Sequence, residues 1–124
     1  MKYAFVLKIA ILSMVFGVIV AVPSPGRGAE EKGGKTVTMT GEVVDLMCYL
    51  DHGAKGEKHK GCAEKCIKGG GPVGLVSGDS VYLLIGDHEP INDQLAPKAA
   101  QTITVTGKLV ERNGMKMIEN VQVQ

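Results

Sequence analysis

Hydrophobic and polar positions along this chain fall into three kinds of pattern. The first is the almost unbroken apolar run from Ile9 to Val22, roughly 14 residues, shorter than the roughly 20 that a membrane-spanning helix needs. With Lys2 and Lys8 ahead of it, the run predicts a secretory signal over residues 1–29, followed by one domain over residues 30–124. Arg27, Pro23 and Pro25 crowd the cleavage region, so an uncleaved N-terminal anchor is the competing expectation. The second pattern is alternation. In "KTVTMTGEVVD", Val37, Met39, Gly41 and Val43 fall on one side, and Thr36, Thr38, Thr40 and Glu42 on the other. A period of two with β-branched residues predicts a strand, and Gly41 in its middle predicts a bulge or bend. "PVGLV", "SGDS" and "VYLLI" predict a hairpin, and "TITVTGKLV", "ERNGM" and "KMIENVQV" a second one that turns at Asn113-Gly114. Between them "HEPINDQLAPKAA" reads as a polar connector with one helical turn near Asn92–Leu95.

The third pattern is helical. "EKHKGCAEKCIK" has helix spacing, and Gly69 to Gly71 stop it. Five short strands that bend at glycines predict a mainly β fold, a small five-stranded antiparallel OB-like barrel. One short Cys/His-bearing helix is inserted between strands 1 and 2. A generic β-sandwich or roll is the other architecture these elements allow. In the barrel reading Val37, Met39, Val43, Leu83, Ile85, Ile103, Val105 and Ile118 point into one core.

Charge narrows the function. The chain has 14 basic and 13 acidic residues. Residues 1–29 hold three of the basic ones and no acid, so the remainder carries 11 and 13, a formal charge of −2. Its aromatics are Tyr49 and Tyr82. Single-stranded nucleic acid is held by a positive groove with aromatic stacking platforms, and neither is present, so nucleic acid is not expected as a partner.

Chemistry concentrates in "CYLDHGAKGEKHKGCAEKC", Cys48 to Cys66, which holds all three cysteines and two of the three histidines. On a regular helix His59, Cys62 and Cys66 fall at offsets zero, three and seven, within about 60° of arc. Cys48 enters from the end of the first strand, and Gly53 and Gly56 let the loop turn back. Three thiolates and an imidazole then converge from a loop and a helix. The expected site is Cys48, His59, Cys62 and Cys66 around Zn or Cu, with His52 as a substitute ligand. The spacing is neither a pair of CxxC knuckles nor the CxxCH of covalent haem attachment. Cys62-Ala-Glu-Lys-Cys66 resembles the CxxxC of exported copper-handling proteins over those few residues.

More of the chain resembles a largely uncharacterised group of small exported bacterial proteins. Their pattern is CY followed by GxxGxxHxxCAxxCxxxGxPxGL. It is met here at Cys48-Tyr49, Gly53 and Gly56, His59 to Cys62 and Cys62 to Cys66, with an additional glycine before Pro72. The resemblance implies an OB-like barrel with the cluster as a feature of the type, and it brings no established activity.

A second function class fits the same residues. Outside the cytoplasm two nearby cysteines pair by default. Cys48 with Cys62 or Cys66 would close a loop of roughly 15–19 residues and add about 3 kcal/mol. The protein would then be a disulfide-stapled structural or interaction module, with one thiol left over and no metal. Catalysis is not expected: no nucleophile elbow, phosphate loop or HExxH appears. The expected location is periplasmic or secreted. The expected partners are a metal ion and another exported protein, with a membrane only if the N-terminal segment is retained.

Overall fold

A computed structural model describes residues 34–124. The signal or anchor expected over residues 1–29, and the first residues of the domain, lie outside the described residues. Among the described residues no helix is long and apolar enough to cross a membrane.

Five strands form a closed barrel: β1 (Lys35–Asp45), β2 (Val73–Ser77), β3 (Ser80–Leu84), β4 (Thr102–Arg112) and β5 (Met115–Val123), in the order β1-β2-β3-β5-β4. β1 pairs with β4 from Lys35–Leu109 to Glu42–Thr102, then with β2 from Glu42–Val76 to Asp45–Val73. The change of partner falls at Glu42, next to Gly41, where a Cβ would run into the Val76 carbonyl of β2. The exposed threonines of the first half meet across the β1–β4 seam, Thr38 with Thr106 at 3.1 Å and Thr40 with Thr104 at 2.7 Å between hydroxyl oxygens. Such pairs contribute a few tenths of a kcal/mol, up to about 1, each. The β4–β5 hairpin turns at Asn113 and Gly114, both at positive φ, as the Asn-Gly pair predicts.

One expectation is corrected. The barrel is mixed rather than antiparallel, because β3 and β5 run parallel through Leu83–Met117 and Leu84–Ile118. Parity requires this: in a closed ring of five strands, direction cannot alternate at every seam. The insertion between β1 and β2 is also richer than a single helix. It holds α1 (Leu46–His52), a 3-10 turn at Glu57–His59 and α2 (Lys60–Lys68). The helical turn expected in the connector is α3 (Asn92–Leu95), followed by a 3-10 turn at Ala96–Lys98.

Val43, Leu75, Val105 and Ile118 are fully buried in one cluster, which Ile67 of α2 joins with Leu95, Ala96 and Ala99 from the connector. α2 is thereby fixed to the barrel by its Ala63 and Ile67 side and to α3 at its end. The expected core holds at Val43, Val105 and Ile118, while Val37, Met39 and Ile103 pack against it half-buried. In β3 the phase differs: Leu84, beside Ile118, is buried, and Leu83 is not. Val44 is buried on the face opposite Val43, where the side chains of Val44, Leu46 and Val81 gather around Gly74.

Candidate metal centre

The centre is built at the joint between β1 and α1. Asp45 ends the strand and caps the helix, its Oδ2 accepting the Cys48 N–H at 2.9 Å. An aspartate here satisfies one of the free N–H groups of the first turn. Cys48 therefore sits in the first turn of a helix, not at the end of a strand as its sequence context suggested. Asp45 followed by an apolar stretch and Gly53, which ends α1 at φ 71°, is a readable start-and-stop signal for a short helix. Gly56, also at positive φ, completes the return of the loop, and its N–H is bonded to the Glu42 carboxylate.

α2 then carries Cys62 and Cys66 one turn apart. Its buried side is Ala63 and Ile67, which turns the cysteines toward α1 and solvent. The sulfurs of Cys48, Cys62 and Cys66 all lie within 4.8 Å of one another, Cys62 exposed and the other two half-buried. All three thiols are free. An ion bonded to sulfur at about 2.3 Å holds its thiolates roughly 3.8 Å apart. Sub-ångström movements of three short side chains would close the group around one ion.

The expected fourth member sits in a different element. His59 lies in the 3-10 turn that precedes α2. Its ring stands 6.4 Å from that of His52, and His52 Nδ1 lies 3.2 Å from the Asp51 carboxylate. Neither histidine belongs to the close group of ligand atoms.

Two groups that the sequence did not mark as functional shape the centre. Asp45 is 2% exposed, and its Oδ1 has no hydrogen-bond partner. Asn92 donates from Nδ2 to the carbonyls of Ile67 and Gly71, each at 2.7 Å, tying the end of α2 to the segment that leads into β2. Electrostatics make the Cys48 and Cys66 thiols hold their protons. The Asp45 carboxylate beside it, together with partial burial, pushes the Cys48 thiol up to about 12. Burial, then hydrogen bonding with Cys62 and the nearby charges, raises Cys66 as well. Thiols that resist ionisation by themselves are poor nucleophiles, and a bound cation reverses the balance by stabilising each thiolate.

The fold and centre together define a small closed β-barrel that presents three convergent free thiols on a helical insertion. No family model, curated protein or solved structure matches the chain.

Proposed function

We propose that this chain is an exported metal-binding protein in which Cys48, Cys62 and Cys66 hold Zn(II) or Cu(I), the barrel being an OB-like scaffold. The observation that carries the reading is the convergence of three free sulfurs, from two helices, within 4.8 Å. Soft thiolates favour these two ions among common metals. The donor set fits a cation in a second way: three ionised thiols beside the Asp45 carboxylate would concentrate negative charge where no lysine or arginine pairs with Asp45 among the described residues. Export is supported by the apolar run behind Lys2 and Lys8, and the OB-like assignment by the strand order with its parallel β3–β5 seam. The role is binding rather than catalysis, and another exported protein is the partner to which a metal carrier would deliver.

Metal content and thiol state of anaerobically isolated protein test this together. One equivalent of Zn or Cu is expected, with three thiols that alkylate only after chelation, and loss of tight binding in each of Cys48→Ser, Cys62→Ser and Cys66→Ser. A stapled module gives the opposite result: one thiol that alkylates in the native protein, two that appear only on reduction, and no response to chelator. A native disulfide in freshly isolated, metal-free protein would sink the metal reading.

A further inference from the structure

We propose that Asp45 is the fourth ligand of this centre, an oxygen donor that completes a tetrahedral S3O site and selects Zn(II) over Cu(I). The inference rests on the metal-binding reading and adds to it a ligand and a preference. Its first support is the orphaned oxygen. A carboxylate that is 2% exposed, with Oδ1 unpartnered, is costly to keep unless a cation or donor meets it. Asp45 forms no ion pair among the described residues, and it stands with Cys48, whose N–H it accepts, and with the Cys66 carbonyl around Gly71. The second support is the space kept for it. A Cβ on Gly71 would lie 2.7 Å from Oδ1 and 2.9 Å from the Cys66 carbonyl, so only glycine leaves the carboxylate where it stands.

The third is orientation. Oδ2 is held by the Cys48 N–H at 2.9 Å, which leaves Oδ1 as the free donor atom. This matches the way ligating carboxylates are steered by a hydrogen bond to the oxygen that does not bind. Asp45 and Cys48 are also three residues apart at one helix start, so a single backbone element fixes both. Asp45, like the two histidines, stands outside the close group of three sulfurs, and its Oδ1 lies with the Cys66 carbonyl around Gly71. Zn(II) takes four ligands from S, N and O, whereas Cu(I) is satisfied by soft thiolates alone and gains little from a carboxylate. A carboxylate in the fourth position therefore discriminates between them.

The test uses the full chain loaded with one equivalent of Zn(II), X-ray absorption at the zinc edge, and competition titrations with chromophoric chelators for Zn(II) and Cu(I). The expected zinc shell has three sulfurs and one oxygen, without the outer-shell scattering of an imidazole. Asp45→Asn is expected to weaken Zn(II) by at least about 10–100-fold and to leave Cu(I) affinity within about threefold, the effect of losing a donor that a soft ion does not use. His59→Ala is expected to leave both unchanged. An imidazole signature in the zinc shell, or Asp45→Asn binding Zn(II) as tightly as the parent, overturns the assignment while the three-cysteine reading stands. Should the full chain bind neither ion, both readings fall. If Asp45→Asn does not fold, the zinc shell of the unsubstituted protein decides alone.

Discussion

Replacing Gly71 with alanine probes how tightly the carboxylate at the centre is packed. The new methyl would sit 2.7 Å from Asp45 Oδ1, 2.9 Å from the Cys66 carbonyl oxygen and 3.2 Å from its carbon, where ordinary contact begins at 3.4 Å. The Cys66 carbonyl cannot easily yield, since it accepts the N–H of Gly71 itself at 2.9 Å. The carboxylate has to retreat, and its one bond, to the Cys48 N–H, is the cap of α1. Losing an N-cap costs about 1 kcal/mol, and overpacking a closed site costs about 1–3 kcal/mol more. Gly71→Ala is therefore expected to destabilise the reduced, metal-free protein by about 2–4 kcal/mol, and each kcal/mol lowers the Tm of a domain this size by about 4–8 °C. Urea unfolding measures it, and the same substitution in an Asp45→Ala background isolates the cause. With the carboxylate gone, the cost of Gly71→Ala should fall by at least about 1 kcal/mol, a coupling expected of groups in direct contact. Equal costs in the two backgrounds would show that the carboxylate is not what fills the space.

Four further outcomes are expected. Asn92→Asp presents a carboxylate to the Ile67 and Gly71 carbonyls that the amide now bonds, and should cost about 2–3 kcal/mol in chemical unfolding; a silent substitution would mean that this tie does not hold the centre. Ile118→Ala, at a fully buried position, should cost about 2–5 kcal/mol and Ile103→Ala distinctly less, the reverse order arguing against the barrel interior described here. Hydrogen bonding from Lys108 Nζ, at 2.6 Å, lowers the Glu119 carboxyl below the usual range, so the pair's stabilisation is present above the ordinary carboxylate pKa of about 4.3 and lost as pH falls through the lowered folded value. Lys108→Met should thus be destabilising at neutral pH and lose its effect in acid, and a pH-independent difference in urea midpoint would count against it. In metal-free protein at mildly alkaline pH, iodoacetamide should modify exposed Cys62 first and Cys48, its thiol held up at about 12, last, as peptide mapping over time would show; early labelling of Cys48 would contradict the influence of Asp45.

Much of the barrel was legible because its signals are local. β1 runs from Lys35 to Asp45 where the alternation does, and Asn113-Gly114 and Asn92–Leu95 fall where turn chemistry and the connector placed them. The phase of β3 was not legible. "VYLLI" is continuously apolar, so nothing in it chooses between Leu83 and Leu84, and only the pairing of Leu84 with Ile118 does so. The centre was legible as a set of cysteines and not as a geometry. The sequence pattern ran one helix back to His59, where the structure has a separate 3-10 turn, a difference of local winding that spacing alone does not reveal. Asp45 was read as the end of a strand because its importance lies in what it lacks, a partner for a buried oxygen, and that appears only once the chain has folded around it.

The parallel seam that parity imposes also sets where this barrel breathes. β3 and β5 meet through Leu83–Met117 and Leu84–Ile118, extended by the amides of Ile85, Asn120 and Val121 at 3.1–3.2 Å, whereas β1 and β4 are zipped from Lys35–Leu109 to Glu42–Thr102. Local opening follows the shortest ladder, so amide exchange should be fastest among the strand hydrogen bonds at Ile85, Asn120 and Val121. The β1–β4 amides should exchange only with global unfolding. The three cysteines hang from β1, β2 and α3 rather than from the short ladder. The barrel can therefore part along one seam, like a cuff along its closure, while the thiols stay clasped.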